Sequence, residues 1–291
     1  MATVSVLIPT YNREKFISDC IQSVLGQSSP PSEIIVIDDG STDKTYKILK
    51  NLGFNSVSTS KTVLRYIFQQ NRGVSATRNL GIRESKSEYI ALLDSDDLWL
   101  EDKLERQIKA LTDTKKRVRL CHTDEIWLRN DVRINPKKKH KKQGGNIFHN
   151  CVKLCCISPS SAMMHKSVFE DIGLFDERMP ACEDYDFWLR YSAKEEVNFI
   201  DDALIIKKGG HEDQLSLQHW GMDRFRVHAL EKLINENGID SVYRHEAMRE
   251  VILKLEILIN GAKKRKKHAY IERMLQKKFY WEETLFCETD G

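Results

Sequence analysis

Long apolar runs are absent from this 291-residue sequence, and no stretch approaches the roughly 18 apolar residues of a membrane-spanning helix. The chain passes from Met1 almost directly into VSVLIP, without the basic region and apolar core of a signal peptide. We therefore expect a cytoplasmic protein. Attachment to the inner face of the cytoplasmic membrane stays open.

Paired cysteines with metal-site spacing are also missing. The seven cysteines include no repeated C-x-x-C, and their odd number in a long chain fits a reducing compartment. Cys151, Cys155 and Cys156 lie close together in sequence. Buried apolar thiols are the favoured interpretation of this group, ahead of a zinc site.

A large charge imbalance is lacking too. The net charge is only +3, which gives no general reason to expect a nucleic-acid partner. The hydrophobic fraction of 41% and the charged fraction of 31% are typical of a folded globular protein. Two basic runs, KKKHKK at 137–142 and KKRKK at 263–267, indicate solvated faces first, and an acidic partner or anionic membrane second.

Strand-like and helix-like stretches alternate through residues 1–115. The predicted strands are VSVLIP, EIIVIDD, VLRYIFQQ and YIALL. The predicted helices span 14–25, about 43–52 and about 100–111, and GVSATRNLGIRES is predicted to be a loop that opens into a further helix. Strands that are apolar on both faces and alternate with helices predict a parallel sheet covered on both sides. PTYN, DDGS and DSDD each follow a strand, so we expect them at the edge where such sheets bind ligands.

Beyond Val118 this alternation ends. RVRLCHTDEIWLR and SSAMMH are predicted strands, CEDYDFWLRYSA is a predicted helix, and NFIDDALIIKK is predicted to be a closing strand pair. Residues 130–145 are polar and lysine-rich, which predicts a mobile loop. From Trp220 onward only helical patterns remain, in three segments divided at Gly238 and near Gly261.

Three carboxylates, Asp94, Asp96 and Asp97, end the YIALL strand. Acids this close together resist burial unless something neutralises them. Asp94 and Asp96 can point into one crevice, where Mg²⁺ or Mn²⁺ binds through one or two carboxylates plus substrate phosphates. Alternatively these two acids only solvate a loop. Asp97 is predicted to cap the following helix.

Two other strand ends carry groups that suit a nucleotide. Asp38 and Asp39 precede Gly40, and one of the two carboxylates could accept a hydrogen bond from a nucleobase or a ribose hydroxyl. Alternatively the segment is a plain capped turn. Arg72 and Arg78 lie near a predicted helix start, where phosphates are favoured, although helices often carry arginines.

Two motifs in the second half have open interpretations. Glu183, Asp184 and Asp186 could include a general base, or they could be ordinary acids in the first turn of a helix. His211 follows two glycines, which suits a loop that closes over a ligand. An unremarkable surface histidine is the alternative.

Five stretches together resemble a known family in their order and spacing. They are VSVLIPTYNREKFISDCIQSVLGQS, EIIVIDDGSTDKT, QQNRGVSATRNLGIRES, YIALLDSDDLW and EDYDFWLR. The chain is similar here to the family 2 glycosyltransferases of the GT-A fold, over about Val4 to Ser216. The resemblance implies an α/β fold with a Rossmann-like, mostly parallel sheet flanked by helices, and a C-terminal helical extension.

The resemblance also implies domain limits. A GT-A glycosyltransferase domain would span 1–218, with a nucleotide-sugar-binding half at 1–115 and an acceptor-side half at 116–218. A helical C-terminal extension would span 219–291. We expect this extension to dock on the catalytic core or a partner subunit, with peripheral attachment to an anionic membrane as the alternative.

The resemblance assigns roles to individual residues. Asp39 would bind the nucleobase, usually uracil, and Arg78 would lie near the pyrophosphate. Asp94 and Asp96, with His211, would hold Mg²⁺ or Mn²⁺. The full set of implied donor-binding residues is Pro9, Thr10, Tyr11, Asp39, Arg78, Asp94, Ser95 and Asp96. Asp184 would be the catalytic base of an inverting transfer.

The implied function is transfer of a sugar from a nucleotide-diphosphate donor, a UDP-sugar first, to a hydroxyl of a glycan or lipid-linked acceptor. Surface polysaccharide or glycolipid synthesis is the expected setting. A homodimer stays open, as does membrane contact through the basic C-terminal helices. The alternative is a catalytically inactive GT-A scaffold or binding protein in a glycan-assembly complex.

Two other enzyme classes fit the sequence less well. A phosphatase of the haloacid dehalogenase type carries its nucleophile in a D-x-D at the first strand, but this first strand ends in PTYN. A sugar nucleotidyltransferase needs a glycine-rich basic loop after that strand, and none follows it.

Overall fold

A computed structural model of the chain describes residues 2–55, 61–112, 118–135, 137–210, 219–236 and 238–290. The chain divides into two compact units. Unit 1 comprises Met1–Gly145, Cys156–Arg178 and Glu196–Glu212, and unit 2 comprises Asn146–Cys155, Met179–Glu195 and Asp213–Gly291. The domain limits implied by the family resemblance stay a prediction. Over the described ranges, no helix combines the length and apolarity needed to cross a bilayer.

Unit 1 is built on a mostly parallel sheet. Its strands in the described residues are β1 (Val4–Thr10), β2 (Glu33–Asp38), β3 (Val63–Phe68), β4 (Tyr89–Leu92), β5 (Leu98–Trp99), β6 (Leu120–Arg129), β7 (Val132–Ile134), β8 (Met163–His165) and β9 (Asn198–Gly209). They lie in the order β3-β2-β1-β4-β8-β6-β9-β5, and β7 pairs with β6. The run from β3 to β4 is parallel, and β8 runs antiparallel to β4 and β6.

Helices occur in both units. In chain order they are α1 (Ile17–Leu25), α2 (Thr45–Asn51), α3 (Val74–Glu84), α4 (Lys103–Thr112), α5 (Phe148–Cys151), α6 (Val168–Asp171), α7 (Glu183–Ser192), α8 (Asp223–Ile234), α9 (Ser241–Lys264) and α10 (His268–Asp290). Helices α1 to α4 and α6 belong to unit 1, and the remainder belong to unit 2.

The core of unit 1 follows from strands that are predominantly apolar. Every residue of β1 and β2 is buried, as expected for strands covered on both faces. Helix α3 packs closely on this sheet, because a Cβ on Gly81 would lie only 2.7 Å from Cδ1 of Ile37. The predicted α/β architecture is confirmed, with the carboxyl ends of β2, β1 and β4 side by side.

Unit 2 is helical in its described residues. The long helix α9 contacts both α8 and α10. Its buried face includes Met248, Val251, Leu255 and Leu258, which recur at the spacing of an amphipathic helix. The helix begins after Asp240, whose carboxylate accepts a hydrogen bond from Val242 N at 2.8 Å.

Several predicted boundaries were wrong, for local reasons. Helix α1 begins at Ile17 and not at residue 14, and Ile17 N donates to the Arg13 carbonyl at 2.9 Å. The backbone N–H groups of Arg13 and Glu14 donate to the side chains of Thr45 and Asp43. The predicted closing strand pair is the single strand β9. Gly261, predicted near a helix boundary, lies within α9, which ends at Lys264.

The predicted mobile loop at 130–145 is partly ordered structure. It contains β7, which pairs with β6, and a buried lysine. The Lys142 ammonium lies 2.8 Å from Oε2 of Glu125 and donates to the Thr123 carbonyl at 3.2 Å. The side chains of Lys142 and Glu125 are only 5% and 3% exposed. A lysine-rich sequence pattern could not show that one lysine turns inward to this carboxylate.

Replacing Lys142 should therefore be costly. Lys142→Met removes the cation that contacts the buried Glu125 carboxylate, which should lower the free energy of unfolding by about 3–5 kcal/mol at neutral pH. Lys139 is exposed, so Lys139→Met should change it by less than about 0.5 kcal/mol. Urea denaturation of both variants measures the difference. Equal stability of the two would contradict the buried pair.

The same pair predicts a pH dependence. Burial would raise the pKa of Glu125, but the charges of Lys142 and Lys207 outweigh it and hold the pKa at about 2, below its ordinary 4.5. This contribution to wild-type stability is present above 4.5 and lost as the pH falls through about 2. Lys142→Met removes the largest charge that lowers this pKa, so the stability deficit of the variant should shrink as the pH falls from 4.5 towards about 2.

Candidate functional site

The two adjacent carboxylates after β2 have different environments. Asp38 is 1% exposed and accepts hydrogen bonds from the Tyr66 hydroxyl at 2.9 Å and from Ser41 N at 2.8 Å. Burial raises the pKa of Tyr66, and the Asp38 carboxylate raises it further. Asp38 therefore ties β2 to β3 and closes its own turn, which is a structural role.

Asp39 lies against the start of helix α3. Its Oδ1 accepts from Nε2 of Gln69 at 2.6 Å and from Arg72 N at 2.8 Å, and its Oδ2 accepts from Gly73 N at 2.9 Å. Gly73 has φ +88°, a conformation that glycine adopts without strain. These donors, at the positive end of a helix dipole, make a 5%-exposed carboxylate tolerable without an ion pair. Three of its roughly four acceptor positions are then occupied.

The end of β1 lies beside Asp39. Pro9 and Thr10 pair in register with Ile37 and Asp38, and Asp39 N donates to the Thr10 carbonyl at 2.9 Å. The Thr10 hydroxyl is buried and has no hydrogen-bond partner in the described part of the chain. Tyr11, the next residue, is 45% exposed. Of the three residues that the family resemblance assigns to the nucleobase, Thr10 contacts Asp39.

A buried ion pair joins α3 to the end of β4. Nη2 of Arg78 lies 2.8 Å from Oδ1 of Asp94, and the two side chains are 4% and 29% exposed. The Phe175 ring lies 5.4 Å from the guanidinium carbon. Asn79 holds Phe175 there, because its side chain exchanges hydrogen bonds with the Phe175 carbonyl and amide at 2.9 and 3.0 Å.

Asp97 does not cap a helix, so that prediction was wrong. Its Oδ2 accepts from the Ser160 hydroxyl at 2.6 Å and its Oδ1 from Lys208 N at 3.0 Å, while the chain continues into β5 and α4 begins only at Lys103. Burial, and then the charge of Asp96, raise the pKa of Asp97 well above its ordinary range. Asp97 therefore holds the DSDD turn in place.

The remaining members of the D-x-D motif frame the candidate metal position. Ser95 is 5% exposed, and Asp96 is half-buried. Asp94 N donates to the Ser160 hydroxyl at 3.1 Å, which fixes the start of the turn. His211 lies outside the described residues.

The residues present fit a hard divalent cation. Mg²⁺ keeps several waters and binds through one or two carboxylates plus substrate phosphates, so Asp94 and Asp96 supply a sufficient protein donor set. Within the described ranges, no three His, Cys, Asp or Glu side chains converge as a ready-made metal cluster. Oδ1 of Asp94 is engaged by Arg78, and no described residue hydrogen-bonds its Oδ2.

The acids of the EDYD motif, in unit 2, have different environments. Asp186 is 1% exposed and pairs with Arg190 at 3.0 Å and Lys232 at 2.6 Å, so it is structural. Asp184 is half-buried at the start of α7, after Cys182 in the left-handed conformation at φ +62°. The Cys155 thiol donates to Oδ2 of Asp184 at 3.1 Å.

Some site residues were missed by the sequence reasoning. Gln69, which donates to Asp39, ends the VLRYIFQQ strand, so the rule applied to the other polar strand ends would have found it. Ser160 links the Asp94 amide to the Asp97 carboxylate, and Cys155 contacts Asp184. Nothing in the local pattern around either residue indicates these contacts.

Comparison with known proteins identifies the family. The model for glycosyl transferase family 2 matches residues 5–173. A Rickettsia felis protein named as an uncharacterized glycosyltransferase is 34% identical over 207 residues, which cover 69% of this chain and 32% of that protein. The match therefore spans about a third of that relative. The chain belongs to glycosyl transferase family 2, which confirms the resemblance found in its motifs.

Solved structures agree on the fold. S. aureus TarS 1–349, crystallised with UDP-GlcNAc, has a TM-score of 0.75 at 18% identity, covering 96% of this chain and 81% of that one. The mannosyltransferase PcManGT of Pyrobaculum calidifontis, crystallised with GDP-Man and Mn²⁺, has a TM-score of 0.63 at 18% identity, covering 96% and 87%. The predicted GT-A fold is confirmed.

The contact between Tyr66 and Asp38 gives a test of the β2–β3 edge. Tyr66→Phe removes a donor from a carboxylate that is 1% exposed, which should cost about 1–3 kcal/mol of stability. Tyr46, whose ring centroid lies 5.0 Å from that of Tyr66, is 53% exposed. Tyr46→Phe should stay within about 0.5 kcal/mol of wild type in the same denaturation assay. An equal loss of stability in both variants would argue against a stabilising hydrogen bond from Tyr66 to Asp38.

Proposed function

We propose that this chain is a metal-dependent, inverting glycosyltransferase that moves a sugar from a UDP-sugar to a hydroxyl acceptor. The observation that carries the proposal is the acidic edge of unit 1. Asp39 follows β2, Asp94 and Asp96 follow β4, and these two strands lie on either side of β1. Sheets of this kind bind ligands beyond the carboxyl ends of their strands. TarS with UDP-GlcNAc and PcManGT with GDP-Man and Mn²⁺ support a nucleotide-sugar donor.

The nucleobase would lie against the end of β1. Asp39 keeps about one acceptor position beyond the three hydrogen bonds it already receives, and a base N–H can donate to it. The buried Thr10 hydroxyl, which no described residue hydrogen-bonds, could also bind a polar atom of the base. Pro9 and the exposed Tyr11 would flank the base. The choice of uracil rests on the family resemblance.

The diphosphate would lie at the D-x-D turn. Asp94 and Asp96 would hold Mg²⁺ or Mn²⁺, which would neutralise charge on the departing diphosphate. Arg78 would stabilise the same developing charge, while its ion pair with Asp94 keeps the guanidinium oriented before the donor binds. Ser95 would approach the donor between the two carboxylates. His211 would complete the metal site.

Asp184 would be the catalytic base. It is the half-buried acid of the EDYD motif, whereas Glu183 and Asp186 are buried and Asp186 is held in two ion pairs. In the loaded enzyme its carboxylate must come within roughly 2.6–3.2 Å of the acceptor oxygen and take the hydroxyl proton. The acceptor oxygen then attacks the anomeric carbon opposite the diphosphate, which inverts the configuration. The proposed acceptor is a glycan or a lipid-linked molecule, and the proposed setting is surface polysaccharide or glycolipid synthesis.

Calorimetry with a UDP, GDP, TDP, CDP and ADP panel tests the proposal. We expect UDP to bind in the presence of Mn²⁺ and to lose most of its affinity in EDTA, because the metal bridges protein and diphosphate. Binding of another nucleotide would support a transferase but would mean that Asp39 binds a nucleobase other than uracil. Absence of binding across the panel would favour the inactive scaffold.

Asp96→Asn should separate donor binding from stability. Loss of a metal-binding carboxylate should reduce Mn²⁺-dependent UDP affinity by at least about 10-fold while the melting temperature stays close to that of wild type. Asp201→Asn, at an exposed acid of β9, is the matched control and should bind normally. Unchanged UDP affinity in Asp96→Asn would contradict the metal assignment.

Asp184→Asn should leave UDP binding intact and reduce transfer by about 10²–10⁴-fold, the usual contribution of a general base. Acceptor-free hydrolysis of the donor, measured by nucleotide release, gives a rate even before the acceptor is known. If Asp184→Asn lost UDP binding as completely as Asp96→Asn, the division of roles between the two acids would be wrong.

A further inference from the structure

The C-terminal helices of unit 2 contain a cavity that the proposed reaction does not use. It has a volume of about 390 Å³ and is lined by residues of the Trp220 segment and of α8, α9 and α10. Val227, Leu258 and Met274, each less than 10% exposed, contribute apolar surface to it. The aromatic rings of Trp220 and Tyr270 also line it. This volume is within the range of roughly 300–1,000 Å³ that small ligands occupy.

Cationic side chains gather around these two rings. The guanidinium carbon of Arg224 lies 4.1 Å from the Trp220 ring centroid, and the Lys267 ammonium lies 4.2 Å from the same centroid. The guanidinium carbon of Arg273 lies 5.3 Å from the Tyr270 ring. Among the residues that the structure describes, no carboxylate forms an ion pair with any of these three cations.

The acid of the cavity is already engaged. Oε2 of Glu231 pairs with Lys277 at 2.8 Å, and its Oε1 accepts from the Trp281 indole at 2.9 Å. Among the described residues, Glu231 therefore pairs with Lys277 and with none of Arg224, Arg273 and Lys267. Cations that share one aromatic ring lie within a Debye length of each other and repel, so an anion between them would be stabilised.

We propose that this cavity binds an amphipathic organic phosphate, with the phosphate on Arg224 and Arg273 and an apolar group on Val227, Leu258 and Met274. Lys267, which lies over the Trp220 ring, adds positive charge beside the phosphate position. A phosphate monoester carries a charge of about −1.5 to −2 at pH 7, which suits a site with several cations. Guanidinium groups bind phosphate oxygens in a bidentate manner. The apolar lining adds affinity for an alkyl or isoprenoid group that inorganic phosphate cannot use.

This chemistry could come from two sources, a phospholipid of an anionic membrane or a soluble phosphate ester. Hexyl phosphate is a probe for the shared chemistry, and calorimetric titration of the full chain in EDTA measures its affinity. Hexanol and inorganic phosphate test the two halves of the probe separately. We expect both to bind at least 10-fold more weakly than hexyl phosphate.

Charge-matched variants locate the site. R224Q/R273Q removes two cations of the cavity and should weaken hexyl phosphate binding at least 10-fold. K263Q/K264Q removes two exposed charges of the neighbouring basic run and should change the affinity less than twofold. Circular dichroism confirms that each variant is folded. Binding that survives R224Q/R273Q but is lost in R78Q would belong to the acidic edge of unit 1 and would overturn the proposal.

Vesicle sedimentation distinguishes the two sources. If the ligand is a membrane phosphate, vesicles of phosphatidylglycerol bind the chain, phosphatidylcholine vesicles do not, and R224Q/R273Q loses more vesicle binding than K263Q/K264Q. If it is a soluble ester, hexyl phosphate binds and phosphatidylglycerol does not compete with it. Failure of both hexyl phosphate and phosphatidylglycerol to bind the wild type would overturn the proposal. Equal loss of vesicle binding in both double variants would also do so, because it would show a diffuse basic surface.

Discussion

Compensation of buried negative charge is the constraint on which the ligand-binding edge of unit 1 depends. Carboxylates gather at the ends of β2 and β4, and the protein neutralises each in a different way. Asp38 accepts hydrogen bonds from a phenol and a backbone amide, and Asp39 accepts them from backbone amides at the start of α3. Asp94 forms an ion pair with Arg78, and Asp97 accepts hydrogen bonds from the Ser160 hydroxyl and Lys208 N. Loops distant in sequence are fixed against one another because these acids need donors.

Exposure, more than the number of donors, distinguishes structural from functional acids. Asp38, Asp97 and Asp186 are only 1%, 2% and 1% exposed, and protein donors or cations hold each of them. Asp39 accepts three hydrogen bonds but is 5% exposed, and Asp94 is 29% exposed with one oxygen outside its ion pair. The more exposed acids are the ones that we propose to meet donor and metal.

Hydrophobic periodicity and the position of polar strand ends predicted the parallel sheet and the location of its acidic edge. Both depend on local sequence, since a fully apolar strand must be covered and its polar end must face solvent. The cap assigned to Asp97, the mobile loop at 130–145 and the strand pair in place of β9 were wrong. Each depends on a partner far away in the chain: Ser160 for Asp97, Glu125 for Lys142 and β6 for β9. The Cys155 contact with Asp184 was missed for the same reason.

Anomalous diffraction from crystals soaked with UDP and Mn²⁺ is the decisive measurement for the acidic edge, because it locates metal and nucleotide independently of activity. We expect a manganese peak within coordination distance of the Asp96 carboxylate, with the diphosphate bound to that ion. We also expect a nitrogen of the uracil ring to donate to Asp39 beside the end of β1. A manganese peak away from the D-x-D turn, or a base that does not contact Asp39, would refute these assignments.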